Sequence, residues 1–296
     1  MRKKCNALFL LTILLLMSVA FSCDTGSGPE EVIDESDDYD PGPGWTLSWS
    51  DEFNDGVFGS DTWDREELLS PYNNEWERYT GEASTAYEQD GSMVLKATYN
   101  GPTHSIGNYT SARVISNPGG GTGLSGSTGK TFRYGKIAAS IKLPSGKGIW
   151  PAFWMLGDNI SETGGDTGWP ACGEIDILES GHISANDGFY GHATVGQAIH
   201  STAGTPSSSG EVSISSGIYG DDFHVFEIEW DSSTIVWKVD GVIAHTADIS
   251  TIDEFQKDFY ILFNIAVGGN YTHDPDATTT FPQYMYIDWI RYYTNN

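Results

Sequence analysis

The chain has 296 residues, with 41 acidic against 15 basic side chains and a net charge of −26. Such a balance leaves no basic footprint for a nucleic-acid partner, and it favours a neutral polymer over a polyanion such as a sulfated galactan as ligand.

Arg2, Lys3 and Lys4 precede a short apolar run, Leu8 to Leu16. The pattern is that of a targeting segment, residues 1–22, too short and wrongly flanked to span a membrane. It ends in Val19-Ala20-Phe21-Ser22-Cys23. A small residue before Cys resembles the cleavage box of bacterial lipoproteins, with Cys23 as the lipidated N-terminus. Phe21 departs from the small residue usual there, and ordinary signal-peptidase cleavage is the alternative. The expected location is outside the cytoplasm, as a membrane-anchored lipoprotein in the periplasm or at the cell surface. Residues 23–43 are acidic, rich in Pro and Gly and without apolar periodicity, so they are expected to form a disordered spacer. Residues 44–296 then form one domain.

Strand signals recur through that domain. Gly135–Leu143 and Phe223–Trp230 alternate apolar and polar residues. Ile235–Val239 and Val242–His245 flank Asp240-Gly241, a hairpin turn signal. Phe259–Val267 and Met285–Tyr293 complete the set, and 35 glycines supply turns. No long helical periodicity interrupts them. The expected fold is all-β: a jelly-roll sandwich of two antiparallel sheets.

Trp150-Pro151-Ala152-Phe153-Trp154 places both tryptophans on one strand face and Phe153 on the other. Trp169 follows, five residues before the most distinctive segment, Gly173-Glu174-Ile175-Asp176-Ile177-Leu178-Glu179. The aliphatic residues between its acids mark a strand with a buried face. Strict alternation would turn Glu179 to the apolar side. One extra residue, a β-bulge near Ile177-Leu178, returns it to the face of Glu174 and Asp176. Two carboxyl groups about 5–5.5 Å apart are what a retaining glycosidase uses, one as nucleophile and one as acid/base. The negative charge of Asp176 between them keeps a neighbouring carboxyl protonated. A metal site or an exposed acidic edge is the competing reading, and the aliphatic spacing argues against both.

Sugar rings stack on indoles, so Trp150, Trp154 and Trp169 beside the acids are read as sugar platforms, with core packing as the alternative. Cys172 is the one cysteine of the domain. It is read as a buried filler, since no histidine stands near it in sequence.

These motifs resemble glycoside hydrolase family 16, in its laminarinase-like β-1,3-glucanase branch. The resemblance runs from about Trp45 to Tyr293 through Trp49–Phe53, Asn73–Thr80, Tyr109–Arg113, Leu143–Leu156, Gly168–Glu179, Asp221–His224 and Phe263–Asn270. It implies a concave substrate cleft and retaining hydrolysis, with Glu174 as nucleophile, Asp176 assisting and Glu179 as acid/base. It also implies that Asn73, Arg113, Trp150, Trp154, Trp169, His192 and Asn264 line sugar subsites. A structural ion pair for Arg113, and a buried backbone partner for Asn264, stay open as alternatives. Glu75 is either a subsite residue or a surface acid. Gly196 stands where a second histidine is usual, which is expected to open or reshape one subsite.

Catalysis by the carboxylates needs no cofactor. The resemblance implies one structural Ca²⁺, held at Glu52, Gly91 and Asp288 through backbone carbonyls and the aspartate, with a partnered rim aspartate as the alternative. The expected partners are a β-glucan polysaccharide and, through Cys23, a membrane, with the protein itself a monomer. Alternatives to a β-1,3-glucanase are a mixed-linked β-1,3-1,4-glucanase, an agarase of the same fold, or a non-catalytic glucan-binding protein.

Overall fold

The computed structural model describes residues 39–59, 62–116 and 129–295. The targeting segment, Cys23 and most of the expected spacer lie outside the described residues. Two sheets make a sandwich. One has seven strands in the order Gly204–Ser213, Thr194–Ser201, Glu174–Ser180, Ile149–Gly157, Phe259–Val267, Arg113–Ile115 and Asp64–Arg65. The other has ten, built around the long C-terminal strand Gln283–Asn295, which pairs with Gly135–Lys142, Ser92–Tyr99 and Trp45–Asp51. Pairing is antiparallel apart from Glu77–Tyr79 beside Tyr109–Ser111.

Alternation along the strands builds the core. Ile149, Phe153 and Met155 point between the sheets, as do Phe259, Ile261, Phe263, Ile265 and Val267. Phe153 stacks on Phe263 with ring centres 4.6 Å apart. Ile137, Ala139, Ile141, Phe226 and Ile228 answer from the opposite sheet. Each fully buried side chain of this size contributes about 1.5–3 kcal/mol. The alternate residues, Trp150, Trp154 and Asn264 among them, therefore emerge on the outer face of the seven-stranded sheet.

One expected boundary moves. Residues 39–43, read as the end of the spacer, pack on the ten-stranded sheet. The Tyr39 hydroxyl donates to Glu227 at 2.7 Å, its ring lies 5.0 Å from that of Trp289, and Lys136 donates to the Pro41 carbonyl at 2.6 Å. Lys136 is buried beside Glu227 and Glu229, and an ammonium there needs every acceptor within reach. Composition reported the polarity of this stretch and missed the aromatic anchor.

Candidate active site

The strand Glu174–Ser180 lies between Ile149–Gly157 and Thr194–Ser201. Its register slips against both neighbours after Asp176. Ile175, Ile177 and Leu178 are all in the core, at most 1% exposed, while Glu174 and Glu179 are partly exposed on the outer face. Two consecutive inward residues, Ile177 and Leu178, are the signature of the bulge. A bulge breaks the ladder locally and leaves a backbone group to be satisfied. The Asp176 carbonyl finds its donor across the sandwich, in the buried Trp237 indole N–H at 2.9 Å. At the strand exit, Gly181 has φ +94°, and a Cβ there would lie 2.2 Å from the Ile149 carbonyl oxygen. The chain can turn away there only without a side chain.

Each acid in the row is held by a ring. Trp169 donates to Glu174 Oε2 at 2.6 Å, and Trp150 donates to Glu179 Oε1 at 3.0 Å. His200 Nε2 lies 3.0 Å from Asp176 Oδ2 and 4.0 Å from Glu174 Oε1. Burial, then the charge of Asp176, pushes the Glu174 carboxyl up to about 8. Burial, then Asp176 and Glu174, pushes Glu179 well above the ordinary carboxyl range. Burial alone would pull His200 down, but its hydrogen bond to Asp176 and the two neighbouring charges carry it up. Glu174 and Glu179 therefore hold a proton more tightly than isolated carboxyls do. Glu174, Asp176 and His200 also present donor atoms within 4.8 Å of one another, a set that could hold a divalent ion.

A second group of residues flanks the row. Trp154 donates to Asn264 Oδ1 at 2.7 Å, Asn264 donates to the Tyr79 hydroxyl at 3.1 Å, and that hydroxyl donates to Glu75 at 3.0 Å. Asn73, exposed and at φ 58°, donates to Glu75 at 3.3 Å. Glu75 is thus tied into this chain of hydrogen bonds. Arg113 is buried, pairs with Glu66 at 2.5 Å and lies over the Trp154 ring at 4.9 Å. Of the two readings held open for it, the structural ion pair is the one observed. Asn264 serves side chains rather than buried backbone.

Three tryptophans differ in access. Trp169 is 50% exposed, and Trp154 is partly exposed. Trp150 is covered by Tyr271, stacked at 4.9 Å and 16°, so it does not offer the open platform expected of it. His192 is corrected likewise. It is 1% exposed, with Nδ1 3.3 Å from Ser180 Oγ and Nε2 donating to the Gly146 carbonyl at 3.0 Å. Burial holds its pKa down. It supports the turn behind the strand and does not face the acids.

The histidine that does face them is His200, which sequence reading missed. Period 2 along Thr194–Ser201 sets Gly196, Ala198 and His200 opposite Glu179, Asp176 and Glu174. That pairing was the available signal. Gly196 opens no gap, because a Cβ there would lie 2.9 Å from the Tyr271 hydroxyl. Cys172 is fully buried against Leu156, Ile160 and Tyr260, and burial raises its thiol to about 11, as befits a filler.

The three positions implied for calcium converge at one rim. Asp51 pairs with Ile290 and Ile287 with Met93, which brings Glu52 and the Asp90-Gly91 turn to either side of the bulge at Asp288. Both carboxylate oxygens of Glu52 are taken by Arg291, at 2.9 and 2.7 Å. A cation there would meet the Glu52 and Gly91 carbonyls and the Asp288 carboxylate, hard oxygens of the kind that suit Ca²⁺.

A family model described as Glycosyl hydrolases family 16 matches residues 73–291. The catalytic domain of an endo-1,3-beta-glucanase (laminarinase) from Thermotoga petrophila RKU-1 is 37% identical, with a TM-score of 0.70 over 85% of this chain and 98% of that one. LamA_E269S from Z. galactanivorans, in complex with laminaritriose and laminaritetraose, is 30% identical with a TM-score of 0.69, over 84% of this chain and 99% of that one. The clotting factor G alpha subunit of Tachypleus tridentatus is 33% identical over 85% of this chain, which spans 34% of that protein's length.

Proposed function

The chain belongs to glycosyl hydrolases family 16, and from that premise we propose that it is a retaining endo-β-1,3-glucanase. It is a glycoside hydrolase most similar to endo-1,3-β-glucanases. The observation that carries the finer reading is the row Glu174, Asp176, Glu179 on one face, with each glutamate fixed by an indole N–H. Trp169 fixes one Glu174 oxygen and, once that carboxyl has given up its proton, leaves the other to attack the anomeric carbon. Glu179, whose proton burial retains, protonates the departing glycosidic oxygen and then deprotonates the incoming water. Asp176, held by His200, carries charge and orientation between them. A bound Ca²⁺ at Glu52, Gly91 and Asp288 would tie three segments at the rim and take no part in the chemistry.

Purified protein should release reducing ends from a neutral β-1,3-glucan faster than from mixed-linked glucan, agarose or carrageenan. Equal or faster cleavage of a sulfated galactan would contradict the reading, and no cleavage of any glucan would favour a binding protein. The catalytic domain is taken to follow an exported, lipid-bearing N-terminus. Wild-type protein should then partition with membranes, and Cys23→Ser should not be lipidated. Mature protein that starts elsewhere without lipid would remove the anchor.

A further inference from the structure

A hollow of about 400 Å³ opens at one rim of the ten-stranded sheet, the layer that does not carry the acids. It forms where the strands Trp45–Asp51 and Gly135–Lys142 begin and where His224–Trp230 and Gln283–Asn295 end. Four rings line it: Trp45, Tyr134, Trp230 and Tyr292. Trp45, Tyr134 and Tyr292 are partly exposed. Trp230 is 2% exposed and packs edge-on against Tyr134 and Phe259, with ring centres 5.3 Å away in each case. Its indole Nε1 has no hydrogen-bond partner among the described residues. A buried N–H without an acceptor is uncommon, because it forfeits the bond it would make in water. Tyr134 holds φ 58° and Gly135 follows at φ 87°. A Cβ at Gly135 would lie 2.5 Å from the Tyr293 carbonyl oxygen, so the turn requires glycine. The Tyr134 hydroxyl donates to Gln256 Oε1 at 2.7 Å, which fixes its ring in the wall.

The charged groups of the wall are already paired. Arg133 reaches Asp258 at 3.4 Å and donates to the Gln256 carbonyl at 2.5 Å. Glu229 is held by Lys136 at 3.1 Å and by Lys238 at 2.5 Å. Asp231 accepts from the Ser233 and Thr234 amides at 2.7 and 2.8 Å. What the hollow offers a ligand is therefore aromatic surface, the Thr294 hydroxyl, the Asn295 amide and the Trp230 N–H. A ring with apolar C–H faces and hydroxyls at its edge matches that combination, and an ion does not. The volume is that of a small-molecule site, about 300–1,000 Å³. We propose that this hollow is a second carbohydrate-binding site, which takes a neutral sugar unit on the sheet opposite the acid row. That its ligand belongs to the polymer the acid row cuts rests on the proposed glucanase reading. A long chain held at both places dissociates more slowly than one held in the cleft alone, whereas a short oligomer engages one place at a time.

The test compares wild type, Trp45→Ala, Trp45→Tyr and Thr294→Arg on a long neutral β-1,3-glucan and on its pentasaccharide, with melting temperatures for all four. Trp45→Ala should raise KM for the polymer about 2- to 10-fold, the range of one lost aromatic contact. It should leave kcat and KM on the pentasaccharide as in wild type. In a Glu174→Gln background, which does not cut, it should also lessen retardation in gels that contain the polymer. Trp45→Tyr returns a ring and should restore both. Thr294→Arg puts a long side chain into the hollow while removing no ring, and should behave as Trp45→Ala does. Unchanged polymer KM and retardation in either variant that melts as wild type does would overturn the proposal. Equal losses on polymer and pentasaccharide would overturn it too, since the change would then reach the cleft through the fold. If wild type cuts a different polysaccharide or none, retardation in a panel of neutral polysaccharides decides the site by itself. Failure of the glucanase reading is thereby distinct from failure of the second site.

Discussion

The Trp237 indole reaches across the sandwich and donates to the Asp176 carbonyl at 2.9 Å. A core side chain of one sheet thereby fixes the bulge that aligns the acids on the other. Trp237→Phe keeps most of the packing and leaves a buried carbonyl unpaired, at a cost of about 1–3 kcal/mol. Activity should fall along with the melting temperature, because the bulge sets where Glu179 points. Unchanged melting and kcat in this variant would show that the bulge is held by Ile177 and Leu178 packing alone.

His200 should matter for chemistry more than for folding. Its hydrogen bond is to a buried charge, the kind that contributes about 1.5–3 kcal/mol. His200→Ala should therefore lower kcat about 10- to 100-fold. His200→Gln, which retains an N–H donor, should recover part of it. Equal loss in both variants would point to ring packing against Trp169 rather than to the bond with Asp176.

The acid row should cost stability as pH rises. The folded Glu174 carboxyl sits at about 8, above its ordinary 4.5, so its proton stabilises the fold below the lower value. That contribution is lost as pH climbs through the higher one. Glu174→Gln keeps a neutral side chain at every pH. Its melting temperature should exceed that of wild type by a margin that widens from pH 5 to pH 8. A margin that stays constant or shrinks would contradict the raised carboxyl.

Calcium at the rim should act on stability alone. Saturation at a hundred times the dissociation constant adds about 2.7 kcal/mol to the folded state. Chelator should lower the melting temperature and leave activity at moderate temperature intact, and Asp288→Asn should remove the response to added Ca²⁺. A melting curve indifferent to both would argue against the site.

How much of this was legible in the sequence follows from the range of each interaction. The bulged acid strand was readable because period 2 and burial are local: Ile175, Ile177 and Leu178 cannot all be inside without it. The faces of Trp150 and Trp154 followed from the same rule. Tyr39 was misassigned because its partners, Glu227 and Trp289, lie far along the chain, the nearer of them 188 residues away. His200 and Tyr271 were missed for a related reason. Strand register brings His200 to Asp176, and a loop carries Tyr271 over Gly196, and neither register nor loop path is written in composition. His192 was overread, since a histidine close in sequence to the acids proved to sit behind them.

The central claim is the division of labour between Glu174 and Glu179, and azide rescue tests it most directly. Glu174→Ala should be nearly inactive and recover turnover with azide, which attacks from the vacated face and yields an inverted α-glycosyl azide. Glu179→Ala should retain activity on substrates with a good leaving group, and azide should trap its glycosyl-enzyme with net retention as a β-glycosyl azide. Asp176→Asn should impair both steps and abolish neither. Wild-type product of inverted configuration by NMR would overturn the carboxylate assignment. Azide products with the two stereochemistries exchanged would show that the nucleophile and the acid/base had been assigned the wrong way round.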